Sequence, residues 1–340
     1  MELVAPAVVD VHNHIVCEDV VAFLAREGAR LDTRIETRGE GRFARIGTQA
    51  VRPLHARMCD PRARLADMDR LAIDVQAVSC TPFVLYADAP PDLALAVAQV
   101  NNDSLAALAR HHPSRFAPLA SVPLQSPEPA ARELERAHAL GLRGVEIPAR
   151  AGALDLDDAR LEPFWAAAES LAMPVCVHPF EASPHGALAR YALSPLVGNL
   201  FDTGLAATLL VMGGVFDRHP RLRIVLYHGG GAFPALLARL QAGYERIPEA
   251  RSAASRPPSQ YLDRFWFDTV TFDLGWLRQL VTRFGAGQFV LGSDYPLPLG
   301  PSDPAAEVRA LGLDPGSEAA ILGGNARGLL GLPMRTERAA

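Results

Sequence analysis

Two histidines one residue apart, His12 and His14, end the apolar run Val8-Val9-Asp10-Val11 near the start of this 340-residue chain. In an extended segment, side chains at i and i+2 share a face, so both imidazoles can reach one ion. Two ligands do not make a metal site, and the pair gains meaning only if the chain supplies more. Three candidates follow: His178 ends Val175-Cys176-Val177, His228 ends Val225-Leu226-Tyr227, and Asp294 follows Val290-Leu291-Gly292-Ser293. Imidazole nitrogen and carboxylate oxygen form a donor mixture that zinc and other divalent metals accept, and an imidazole near neutrality can move a proton.

These residues lie far apart in sequence, so the fold must bring them together. Short apolar, β-rich runs are expected to form strands at Ala7–His12, Val75–Thr81, Ala117–Val122, Gly144–Ile147, Pro174–His178, Arg223–His228, Phe265–Thr269 and Phe289–Ser293. Helical spacing predicts helices over Arg62–Leu71, Leu93–Arg110, Pro129–Leu140, Leu161–Leu171, Pro234–Tyr244 and Leu274–Thr282. Alternating strands and helices imply parallel βαβ units, and runs such as Ile224-Val225-Leu226-Tyr227 suit a sheet buried on both faces. The expected fold is α/β, a (β/α)8 TIM barrel. Its strand carboxyl ends converge on one face, and His12, His14, His178, His228 and Asp294 all fall there. One domain over residues 1–340 is expected, with 16–60, polar and arginine-rich, as a small insertion or lid over the mouth after strand one. From Glu181 to Asn199, Pro184, His185, Gly186, Pro195 and Gly198 mark a second long loop after strand five.

Composition excludes several classes. A net charge of -5 argues against a nucleic-acid footprint, and without a stretch of ~18 apolar residues no membrane span is expected. The N-terminus shows no basic leader ahead of a long apolar core. Cys17, Cys59, Cys80 and Cys176 show no C-x-x-C spacing, so a reduced, cytoplasmic protein is expected. The chain contains no lysine.

The order His12-x-His14, His178, His228, Asp294 over strands one, five, six and eight resembles the amidohydrolase superfamily. The flanks His228-Gly229-Gly230-Gly231 and Gly292-Ser293-Asp294-Tyr295-Pro296 resemble its decarboxylase branch, and within it the aminocarboxymuconate-semialdehyde decarboxylase family. Arg52-Pro53, Val122-Pro123-Leu124-Gln125, Pro257-Pro258-Ser259 and Gly324-Asn325-Ala326 extend the likeness along the chain. The resemblance implies one divalent ion, zinc first, held by His12, His14, His178 and Asp294, with His228 as general acid/base and Asp294 part of the catalytic set. A carbamylated lysine bridging two metals, common in hydrolytic members, is ruled out by the absence of lysine. Glu146 remains as an alternative bridge, with a structural or substrate-facing role favoured.

The resemblance also implies carboxylate binding by Arg52 and Arg239, the second reaching the site from a neighbouring subunit, hence a homodimer. A planar guanidinium suits that task because it pairs bidentately with a carboxylate. Tyr191 stands where the family has tryptophan and Leu297 where it has phenylalanine, so the pocket wall differs. His111, His112, His138 and His219 read as solvated or capping, while His55 and His185 lie in the mouth loops with roles left open. The leading function is non-oxidative decarboxylation of a small unsaturated or aromatic carboxylic acid, with hydration-first and direct-protonation routes both open. A metal-dependent hydrolase or hydratase of a lactone, amide or enol acid is the alternative, and a non-catalytic metal- or ligand-binding barrel comes third.

Overall fold

The computed structural model describes residues 7–47, 50–180 and 186–333. Its strands are β1 (Val9–Asp10), β2 (His14–Ile15), β3 (Thr33–Arg38), β4 (Gly41–Ile46), β5 (Ala50–Pro53), β6 (Val75–Gln76), β7 (Ser79–Cys80), β8 (Leu119–Ala120), β9 (Gly144–Pro148), β10 (Val175–His178), β11 (Ile224–Leu226), β12 (Phe265–Asp268) and β13 (Phe289–Val290). Strands β8 to β13 form one parallel sheet in sequence order, while β1 pairs with β6 and β2 with β7, also parallel. Every residue of β9, β10 and β11 is buried, as expected for a sheet covered on both faces.

Backbone bonds link these pieces. Leu119 N–H donates to the Val78 carbonyl (2.9 Å), and Gln76 bridges to Phe116, joining the β6–β7 segment to β8. Val11 N–H donates to the Leu291 carbonyl (2.9 Å) and Asn13 bridges to Tyr295, setting the first segment against the last. All eight expected strand segments appear in the expected order, most of them shorter than the sequence suggests, while β9 runs one residue further to Pro148. The first is interrupted: Val11 and His12 lie between β1 and β2, where the chain bonds sideways to the segment after β13.

The expected helices are present at Pro61–Arg70, Pro91–His111, Pro127–Ala139, Glu162–Ser170, Phe233–Arg246 and Leu274–Phe284. Several begin where the sequence supplies a cap: Asp60 accepts from Arg62 N–H ahead of Pro61, and Asp273 accepts from Trp276 N–H.

Two regions differ from expectation. The stretch after strand one is not merely polar: it holds a helix at Glu18–Glu27 and an antiparallel sheet β3-β4-β5. Val20, Val21, Phe23, Leu24, Leu31 and Ala44 pack there against Phe83, Val84, Leu85, Leu93 and Val97, a small core of its own. Helical structure also runs unbroken from Ser194 to Met212, where the sequence reading placed a loop as far as Asn199 and no helix. This helix is long and apolar enough by length and composition to cross a bilayer, against the expectation that no such stretch exists. One side of it, including Thr203, Gly204, Ala206, Ala207, Leu210 and Val211, is buried against the rest of the chain. Gly204 is required by that packing, because a Cβ there would lie 2.9 Å from the Ala232 methyl.

Candidate metal centre

His12, His14, His178, His228 and Asp294 meet at the carboxyl ends of their strands. The His12 ring lies 5.2 Å from the rings of His14 and His178 and 5.0 Å from that of His228, each nearly perpendicular. His14 and His178 are 4.9 Å apart, centroid to centroid. Asp294 stands between them. Its Oδ1 lies 3.2 Å from His12 Nε2 and 3.3 Å from His14 Nε2, while its Oδ2 faces His228 Nε2 at 4.0 Å.

The second nitrogen of each of three rings is anchored from behind. His12 Nδ1 bonds Asp268 Oδ2 at 2.5 Å, His14 Nδ1 meets the Cys80 carbonyl at 3.1 Å, and His178 Nδ1 meets the Pro179 carbonyl at 2.7 Å. A carbonyl or carboxylate can only accept, so each Nδ1 carries a proton, and in the neutral ring each Nε2 presents a lone pair inward. His12 is also stacked on Tyr227, with parallel rings 3.8 Å apart, and the Tyr227 hydroxyl donates to the Val11 carbonyl.

His12 Nε2, His14 Nε2, His178 Nε2 and Asp294 Oδ1 are all buried without a hydrogen-bond partner among the described residues. Leaving such a group unpaired costs about 1–3 kcal/mol, so four converging on one point are costly unless a cation pairs with them. Three imidazole lone pairs and a carboxylate oxygen fit a divalent ion. The atoms of His12, His178, His228 and Asp294 also lie within 4.8 Å of one another, which brings His228 to the edge of the same cluster. Its Nδ1 is unpartnered, and its side chain is 12% exposed while those of His12 and His14 are fully buried.

The electrostatics follow this crowding. Burial opposes charge on His12, but the Asp294 and Asp268 carboxylates outweigh it and raise its pKa to about 10. Burial, with like charge from neighbouring imidazoles, holds His178 well below the ordinary histidine value and brings His228 down to about 4. For Asp294, burial pushes upward, yet His12 and its neighbours hold the carboxyl well below the usual range. His228 and Asp294 both have left-handed backbones, φ 58° and 52°, a conformation that costs about 1–3 kcal/mol and clusters at functional sites.

Sequence reasoning missed the shell behind these groups. Asp268, at the end of β12, also accepts from Gly229 N–H at 2.6 Å, so it fixes both the His12 ring and the turn after His228. It ends an apolar run, Phe265-Trp266-Phe267, in the way His178 does, and that signal was available. Glu146 is fully buried, accepts from Ser79 Oγ at 2.7 Å and lies 3.9 Å from His14 Nδ1, on the side away from the lone pairs. It stands behind His14 rather than among the converging atoms.

The expected substrate residues are exposed. Arg52, on β5, is exposed; it shares a face of the antiparallel sheet with buried Ala44 and with Ile46. Ile46, Phe83, Tyr86, Pro148 and Phe180 line a cleft of about 120 Å³, and none of the five cluster residues is among its lining residues. Arg239 is exposed on the helix Phe233–Arg246, Tyr191 is 82% exposed, and neither touches the cluster. His55 is exposed beside the helix Ala56–Cys59, and His185 lies outside the described residues. His219 bonds Glu162 at 2.7 Å, in keeping with a structural role.

The amidohydrolase family model matches residues 9–332, nearly the whole chain. The chain belongs to the amidohydrolase family. Among its relatives, 2-amino-3-carboxymuconate-6-semialdehyde decarboxylase of Dictyostelium discoideum is 34% identical over 291 residues, covering 84% of this chain and 81% of the relative. The solved 5-carboxyvanillate decarboxylase of Sphingomonas paucimobilis superposes with a TM-score of 0.85 at 27% identity, covering 97% of this chain and 100% of that one. A dihydroxybenzoic acid decarboxylase from Polaromonas sp. JS666, solved with manganese and the inhibitor 2-nitroresorcinol, superposes with a TM-score of 0.79 at 25% identity, covering 96% and 97%. The amidohydrolase relatives named here are thus decarboxylases of small carboxylic acids.

Proposed function

We propose that this amidohydrolase-family chain is a metal-dependent, non-oxidative decarboxylase of a small unsaturated or aromatic carboxylic acid. The observation that carries this is the set of three inward Nε2 atoms and Asp294 Oδ1, buried and unpartnered among the described residues, with His228 Nε2 4.0 Å from the other oxygen of the same carboxylate. His12, His14, His178 and Asp294 are the ligands in this reading. Zinc suits the donors, and the manganese in the Polaromonas relative makes manganese the first rival. A divalent ion bound there supplies Lewis acidity and charge against the negative charge that develops as the carboxylate leaves.

His228, neutral near pH 7, is the acid/base, with Asp294 Oδ2 at its flank. The bond between the substrate's carbon and its carboxylate breaks, carbon dioxide departs, and the electron pair stays on that carbon. A proton that His228 takes up from solvent is then delivered from its Nε2 to that carbon, and the imidazole returns to its neutral form.

Arg52 stands on the sheet face shared with Ile46 of the cleft and is assigned to the substrate's carboxylate, with Tyr191 on the outer wall. Arg239 is assigned to the site of a second copy. The outer face near its helix is apolar, with Leu196, Val197, Leu200, Phe201 and Leu205 exposed, and a homodimer covering it is part of this reading. The segment-to-segment bonds at both seams support a closed (β/α)8 barrel forming one domain, with 16–60 as its lid. Four free thiols suit a cytoplasmic setting.

The test is a panel of carboxylated muconate semialdehydes and hydroxybenzoates, read by carbon dioxide release from metal-loaded protein. Release with a hydrogen-for-carboxylate product is expected. Ring opening or water addition without carbon dioxide would overturn decarboxylation in favour of a hydrolase or hydratase.

A further inference from the structure

Arg64 is fully buried on the helix Pro61–Arg70, yet among the described residues no carboxylate bonds its guanidinium. One terminal nitrogen donates to Asn13 Oδ1 at 3.1 Å and Gln76 Oε1 at 2.8 Å, and the other donates to the His14 carbonyl. The guanidinium lies over the Tyr295 ring, 4.8 Å from its centroid. Its balancing charge is one residue removed: Gln76 donates to Asp10 Oδ2 at 3.0 Å, and Asp10 in turn accepts from Ser293 Oγ at 2.6 Å and from His12 N–H at 3.2 Å. Burying an arginine this way is expensive, so the fork must hold something that a smaller apolar side chain would not.

What it holds is the seam between the first and last strand segments. His14 N–H donates to the Tyr295 carbonyl at 2.7 Å, and Asp294 N–H to the His12 carbonyl at 2.7 Å. The same helix grips Tyr295 a second time, since its hydroxyl donates to Asp67 Oδ2 at 2.8 Å. His14 and Asp294, whose Nε2 and Oδ1 lie 3.3 Å apart, are therefore braced from behind by one helix. We infer that Arg64 is a positioning residue for the metal centre, its guanidinium fixing the His14 backbone and, through the Tyr295 ring, the turn that carries Asp294. This rests on the metal-centre reading above.

The test uses cobalt(II) as probe, because its visible absorption reports coordination geometry. Wild-type protein, Arg64→Lys and Arg64→Met are titrated with cobalt, with Tyr295→Phe as a milder variant that keeps the ring and loses only the Asp67 bond. Arg64→Met should bind cobalt about 10–100-fold more weakly with an altered spectrum, the range seen when outer-shell partners of metal ligands are removed. Arg64→Lys should recover only part of the affinity, since an ammonium cannot reproduce the fork. Tyr295→Phe should shift both in the same direction by a few-fold, which keeps the inference testable if Arg64→Met does not fold. Variants that bind with wild-type affinity and spectrum, even at lower thermal stability, would overturn the inference alone. A wild-type chain that takes up no cobalt would instead overturn the metal reading on which it stands.

Discussion

The cluster at the strand ends and the exposed residues proposed to form its rim are built on opposite principles. In the cluster, His12 and His14 are fully buried, each metal-facing nitrogen is oriented by an acceptor on the other side of its ring, and Tyr227 and Asp268 restrain what remains. On the rim, Arg52, Arg239 and Tyr191 are exposed and make no ion pair among the described residues. Preorganised groups keep the same geometry whatever binds, so the cluster carries the chemistry. Exposed side chains gain their position only on binding, so under the proposed function the choice of substrate falls to the rim.

Breaking the cluster should therefore cost far more than altering the rim. His178→Ala should lose most of the metal and lower activity on the order of 10⁴-fold or more, checked by elemental analysis beside carbon dioxide release. His228→Asn should separate binding from chemistry: metal retained, kcat down about 10²–10⁴-fold. If its turnover stays near wild type, the acid/base role belongs to another group. Asp268→Asn, which weakens the bond behind His12, should cost about 10–100-fold in metal affinity, measured by competition with a chelator. At the rim, Arg52→Gln should raise KM about 10-fold with metal content unchanged, the loss of one charge-assisted hydrogen bond. Tyr191→Leu should change kcat/KM by about 3-fold or less, since so exposed a side chain loses little on truncation.

The same contrast explains what the sequence disclosed. Segments buried on both faces read as unbroken apolar runs, so a polar residue ending one stands out. His178 and His228 were visible for that reason, and Asp268 carries the same mark. Arg64 could not be seen this way. It lies in Pro61-Arg62-Ala63-Arg64-Leu65-Ala66-Asp67-Met68-Asp69-Arg70, where a charged side chain reads as solvent-facing, and only the packing of that helix over the Asn13–Tyr295 seam buries it. The helix through Ser194–Met212 was hidden for the opposite reason. Leu196, Val197, Leu200, Phe201 and Leu205 face outward while Leu210 and Val211 face inward, so apolar residues on both sides flatten the 3.6-residue period. The small core after strand one escaped notice because its apolar residues are spread thinly between a helix and short strands.

The central claim is that the converging lone pairs and carboxylate form a single-ion centre on which decarboxylation depends. The most direct measurement strips the protein with a chelator and restores manganese or zinc in steps while carbon dioxide release is followed. Activity should rise linearly and break at one equivalent per chain. A break at two equivalents, or full activity in the stripped protein, would contradict the account.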